Sequence, residues 1–324
     1  MKGIFKLLFK VVVLISALPS LVLAANNNPN IEIINYSKIP TATLVKWTEV
    51  GGSKFSDWQA DTLGVIWELG QLKSEGRTDV FPFNKHHLTL SPEEMKALIS
   101  GIKTWIMKSE CNEDPYRAEE NKWGFKDIEN WVKGGADVAT APDPCYDRRM
   151  VLMGRTPQQD EKTVQQIWLH ELYHAHSNYL TNYCVNSNDS ERDRDDIFNK
   201  HDSQRWFGEG TAEYFAFMVK AEMNGVKEPI SAMLKDAHSK IQREGTDLFS
   251  NMAGNSAVAL RLLMERGKIP NLEKDVLSAA VFHNCDWPDM WNRENSVEVN
   301  FVLENWFRIE NKGGIWGFSD AALR

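Results

Sequence analysis

Apolar residues spaced three and four apart dominate the second half of the chain. The pattern predicts a helix from about Asp160 to Thr163 through Tyr183, and further helices over residues 203–223, 229–242, 255–266 and 272–282. The first places Val164, Ile167, Trp168, Leu172, Ala175 and Tyr179 along one stripe. Earlier, Ser91-Pro92-Glu93-Glu94 combines a capping hydroxyl, a proline at the first helical position and a glutamate three residues after the cap, so a helix should run to about Lys108. Strand signals are fewer. Residues 31–36 and 42–47 are short β-prone runs, residues 58–72 are mixed, and Met150-Val151-Leu152-Met153-Gly154 reads as a short buried strand ended by glycine. The polar tract 182–204 fits no calcium-loop spacing and reads as a solvated surface excursion. The expected class is α+β, helix-dominated, with residues 25–85 as an N-terminal cap or subdomain and residues 86–324 as the main domain.

The first 24 residues change this picture at one end. Lys2, Lys6 and Lys10 give a basic start, residues 11–22 are almost wholly apolar, and Val22-Leu23-Ala24 ends in a small residue, which together read as a signal peptide cut after Ala24. The run is too short for a spanning helix and contains Pro19, so no stable membrane insertion is expected. An exported location follows, periplasmic or extracellular. Losing three lysines lowers the basic count from 37 to 34 against 45 acidic residues, and moves the formal charge from −8 to −11. That balance argues against nucleic acid as a partner. Four cysteines, Cys111, Cys145, Cys184 and Cys285, allow three pairings in an oxidising compartment. Cys111 with Cys145 is expected because both sit in Pro/Asp/Asn-rich stretches, which leaves Cys184 with Cys285.

Candidate chemistry rides on the helix through residue 170. In His170-Glu171-Leu172-Tyr173-His174 the two histidines are four apart, so they share a helix face and can aim two nitrogens at one ion. Glu171 projects beside that point, placed to take a proton from a water that zinc has acidified. A catalytic zinc site needs a third protein ligand. Trp206-Phe207-Gly208-Glu209-Gly210-Thr211-Ala212-Glu213-Tyr214 supplies two candidates four apart, Glu209 and Glu213. One can ligate while the other accepts the second nitrogen of a ligating histidine. Small residues at Gly208, Gly210 and Ala212 should let this helix pack close to the first. His176 faces away from the pair and reads as a surface residue or a support for the site. Leu180 and Ser177 occupy the positions where a metzincin carries its third histidine and its glycine, so that class is excluded.

HELYH followed by WFGEGTAEYFA resembles the gluzincin zinc metallopeptidases, and the second tract is similar to one in bacterial collagenases and the aminopeptidase-like superfamily. The resemblance covers about residues 145–270 and none of the first 85. It implies a zincin-like domain, with a small mixed sheet packed on the motif helix and an edge strand able to pair with an extended peptide or protein substrate. It implies one Zn2+ held by His170, His174 and Glu209, with Glu213 holding the first histidine and Glu171 as general base. Asn251-Met252-Ala253-Gly254 stands where the family has a tyrosine, two residues and glycine. The tyrosine there stabilises the oxyanion; Asn251 could donate a hydrogen bond to the same oxygen. Tyr214 and His201 read instead as a packed aromatic and a loop histidine. A zinc-dependent peptidase is the function implied, and a binding module with a structural zinc is the alternative.

Overall fold

The computed structural model describes residues 30–77, 84–113, 115–142, 148–186 and 204–324. The leader, most of the polar tract and His201 lie outside the described residues. The chain is helix-dominated with a small mixed sheet. Strand β1 (Ile31–Tyr36) leads through α1 (Thr41–Gly52) to the long β2 (Asp61–Arg77), and β3 (Asn84–Leu88) folds back antiparallel on its far half. Two helices follow, α2 (Pro92–Met107) and α3 (Pro115–Gly134), then β4 (Ala139–Thr140) and β5 (Arg148–Arg155). Sheet order is β1-β2-β5-β4, with β1, β2 and β5 parallel and β4 antiparallel at the edge.

Residues 31–77 therefore do not form a separate cap. β2 is hydrogen-bonded to β5 from Asp61 opposite Arg148 to Glu68 opposite Arg155, at the centre of the sheet. Strand periodicity divides the sheet residues between two cores. Leu63, Val65, Trp67, Met150 and Leu152 face Leu98, Ile102 and Trp105 of α2 and Ile128 and Val132 of α3. Ile33, Ile66, Val151 and Met153 face the other way, into the larger core that holds α1 and the motif helix α4 (Glu161–Asn186). Being covered on both faces, Leu63 to Trp67 of β2 show no apolar-polar alternation, while Glu68 and most residues after Gly70 are polar, which is why residues 58–72 give a mixed signal.

Residues 42–47, β-prone in isolation, are part of helix α1. Leu44, Val45, Trp47 and Thr48 are buried, and the demand for helical spacing against α4 outweighs strand propensity. Helix α3 had no clear sequence signal. Among the described side chains Phe125, Ile128, Trp131 and Val132 pack inward, amid a mostly polar segment. The capping box of α2 is made as expected: Glu94 N–H donates to Ser91 Oγ at 3.2 Å, and Ser91 N–H to Glu94 Oε2 at 2.8 Å.

Beyond α4 come α5 (Arg205–Met223), α6 (Pro229–Glu244), α7 (Met252–Glu265) and α8 (Leu272–Leu277), close to the predicted spans. A 3-10 turn at Ala280–Phe282 replaces the end of the last one. The hairpin of β6 (Ile309–Lys312) and β7 (Ile315–Phe318) then packs on α6, where Ser231 Oγ accepts Trp316 N–H at 2.9 Å. Cys285 is disulfide-bonded. The side chains of Cys111, Cys145 and Cys184 lie outside the described ones, and with them the two expected pairings.

Candidate metal centre

Helix α4 starts where Asp160 Oδ1 accepts the Thr163 N–H at 2.8 Å, and hydrogen bonding from the Thr163 side chain, followed by that from its N–H, holds this carboxyl below its ordinary range. One side of α4 is fixed to the sheet by Trp168. A side chain at Gly64 would bring a Cβ within 2.5 Å of that indole, so glycine there is what lets the ring approach β2 closely. The indole N–H donates to Thr48 of α1 at 3.0 Å. On a second side Tyr173 donates to the Val276 carbonyl at 2.8 Å, tying α4 to α8. With the sheet, α1 and α8 covering these faces, the polar residues His170, Glu171 and His174 turn toward α5.

Helix α5 is placed chiefly by α7. A Cβ at Gly210 would stand 2.9 Å from Ser256 backbone and side chain, so this glycine permits the close crossing of α5 and α7. That corrects the expectation that Gly208 and Gly210 bring α5 against the motif helix: the close approach of Gly210 is to α7, and a Cβ at Gly208 would meet nothing within 4 Å. The crossing leaves Glu209 and Glu213, one turn apart, facing the histidines.

Three donor atoms converge. His170 Nε2 and His174 Nε2 are 3.0 Å apart, and Glu209 Oε2 stands 3.4 Å from the first and 3.7 Å from the second. Zinc bonds of about 2.0–2.1 Å in a tetrahedron separate donor atoms by about 3.3 Å, so the spacing of these three atoms fits one tetrahedral face, and two imidazoles with a carboxylate are a donor set that such an ion can take. His170 Nδ1 lies 3.0 Å from Glu213 Oε2. A carboxylate there requires Nδ1 to carry the proton and leaves Nε2 free as a ligand. Glu213 is also held by its other oxygen, Oε1, which accepts the Gln166 amide at 3.2 Å, while Glu209 Oε1 has only a long ion-pair contact of 3.7 Å to the exposed Arg205.

The carboxylates and histidines shift one another's proton affinities. Burial alone would lower the proton affinity of His170, but hydrogen bonds to Glu209 and Glu213 outweigh it and hold the ring at about 10. For Glu209, burial raises the carboxyl, yet its bonds to His170 and His174 prevail and hold it well below the usual range. Glu171 is buried, and burial pushes its carboxyl above 4.5 against the pull of the two histidines.

The structure thus brings together His170, His174, Glu209 and Glu213, with Glu171 in the same electrostatic cluster. Asn251 is placed differently. It precedes α7, and its amide packs over Gly254, where a Cβ would lie 2.6 Å from Nδ2. It shares with Glu213, Asp236 and Lys240 a narrow cavity of about 40 Å³ whose lining includes none of His170, Glu171, His174 and Glu209. Tyr214 is a packed aromatic as expected: its hydroxyl donates to Glu273 at 2.5 Å and accepts from Arg261 at 3.1 Å. His176 is neither at the surface nor a support for the centre. It is fully buried, stacked on Phe55 at 4.2 Å with both ring nitrogens unpartnered, and burial, reinforced by Arg149 and His283, pushes it down to about 2. Gln166 and Arg205 went unnoticed in the sequence. The available signal was spacing, since each stands one helical turn before a ligand.

Comparison with protein-family models, curated proteins and solved structures finds no match to this chain.

Proposed function

We propose that this chain is an exported zinc-dependent peptidase of zincin-like fold, with zinc held by His170, His174 and Glu209. The observation that carries the reading is the triangle of donor atoms, with sides of 3.0, 3.4 and 3.7 Å, on two helices that are separately fixed by Gly64–Trp168 and Gly210–Ser256 packing. When bound, zinc supplies Lewis acidity to a water molecule and to the carbonyl of the substrate. Glu213 holds the Nδ1 proton of His170, so the ring keeps its orientation and Nε2 is the atom that would meet zinc. Glu171, whose burial strengthens it as a base, takes the proton of the attacking water on its carboxylate and hands it to the departing amine nitrogen. β4, at the sheet edge beside α4, supports the reading further, because an extended peptide can be held by pairing with an edge strand. The basic and apolar leader is the support for export.

A second reading, a binding module with a structural zinc, is favoured by one observation: Asn251 lines a cavity apart from the donors, and the nearby Tyr214 hydroxyl is committed to Glu273 and Arg261. Two measurements decide. Metal analysis of the purified protein should find one zinc per chain, lost in His174→Ala; no zinc, or zinc indifferent to that change, sinks both readings. A denatured-protein or peptide library should then be cleaved by the wild type, and a zinc-loaded wild type that cleaves nothing in it leaves the binding module.

A further inference from the structure

Helix α4 carries a third polar residue on the face of its two histidines. Gln166, His170 and His174 are spaced by four, so they stack one turn above another along the side that meets α5. The Gln166 amide nitrogen donates to Glu213 Oε1 at 3.2 Å, while Glu213 Oε2 faces His170 Nδ1 at 3.0 Å. The carboxylate is thereby gripped at both oxygens by one helix, at positions i and i+4.

The rest of the Gln166 amide shows what this contact is for. Its carbonyl oxygen is buried and makes no hydrogen bond, a cost that a core position would ordinarily avoid. Turning the amide over would set that oxygen against a carboxylate oxygen, so the orientation is fixed by Glu213. The charge of the anchor matters as well. His170 is the only cationic side chain within ion-pair distance of Glu213 among the described residues. A neutral amide fixes the rotamer of Glu213 without cancelling its charge, and it is that charge which makes His170 the stronger donor toward a dication.

We propose that Gln166 is a positioning residue for the metal centre, one hydrogen bond outside Glu213, and that it keeps Glu213 Oε2 on His170 Nδ1 so that Nε2 is presented to the ion. The proposal rests on the zinc reading given above. It assigns to the chain a relay of three side chains, Gln166 to Glu213 to His170, in which two members come from α4 and the middle one from α5.

The test is a double-mutant cycle on the full mature chain, read as zinc affinity in competition with a chromogenic chelator and as the visible spectrum of the cobalt-substituted protein. Gln166→Leu should weaken zinc about tenfold and shift the cobalt bands, because the bond it removes is made to a charged group. In a Glu213→Ala background the same change should have no further effect, because Gln166 acts only through that carboxylate. Gln166→Met serves equally if the leucine variant does not fold. Unchanged affinity in the wild-type background overturns the proposal, and so do equal losses in both backgrounds, which mark a packing role. A wild-type chain that binds no stoichiometric zinc fails earlier and overturns the zinc reading itself, so the two failures are distinguishable.

Discussion

At the scale of single residues, Glu209 and Glu213 have the same chemistry and differ only in what they face. Glu209 Oε2 looks at both histidine Nε2 atoms, and Glu213 Oε2 at the Nδ1 of one. Removing a ligand should therefore cost more than removing its support. Glu213→Ala is expected to weaken zinc about 10- to 100-fold, with a larger loss for Glu209→Ala; equal losses, measured by chelator competition, would mean that the two roles are shared. Glu171→Gln separates binding from chemistry at one atom. Zinc content should stay at one per chain while peptide cleavage falls by about 10²- to 10⁴-fold, the usual contribution of a positioned general base.

At the scale of elements, the centre exists because two helices hold their separations. Gly64 sets the seat of α4 on the sheet and Gly210 the crossing of α5 and α7, and at both positions a Cβ would fall well inside contact distance of its neighbour. Gly64→Ala would press on the rigid indole of Trp168, so we expect a loss of about 1–3 kcal/mol in chemical denaturation, the usual cost of overpacking. Gly210→Ala meets Ser256 backbone, which cannot turn aside, and should also weaken zinc by moving Glu209. Wild-type zinc affinity in that variant would show that the α5–α7 crossing does not set the position of the ligand. By contrast, Ser91→Ala at the cap of α2 should cost about 1 kcal/mol and leave zinc untouched, since α2 packs on the opposite face of the sheet.

At the scale of the molecule, the metal would join α4 to α5 and so couple the half of the chain that holds the sheet to the half that holds the later helices. Anything that binds only the folded state stabilises it by mass action, which is about 4 kcal/mol at a thousandfold excess of zinc over its dissociation constant. Chelation should accordingly lower the thermal midpoint, added zinc should restore it, and His174→Ala should respond to neither treatment. A midpoint unmoved by chelator in the wild type would place the metal outside the fold's energetics.

The sequence by itself determined what is encoded within a few turns of chain: the helical spans of α2 and α4 to α7, the Ser91–Glu94 cap, and the pairing of His170 with His174 and of Glu209 with Glu213 through the four-residue period. Even the burial of β5 is legible there, because Met150 to Met153 are apolar without a break. Tertiary structure alone decided which elements meet. The β-prone run in α1 became helix because α4 needed its apolar stripe, and the supposed N-terminal cap became the centre of the sheet because β2 found β5 some eighty residues away. His176 looks like a polar surface position until Phe55 is seen stacked on it, and Gln166 looks unremarked until Glu213 is seen beneath its amide. The physical reason is the same in each case. Backbone period fixes the direction of a side chain relative to its own helix, whereas its partner depends on strand register and helix crossing, which are set by contacts between residues far apart in the chain.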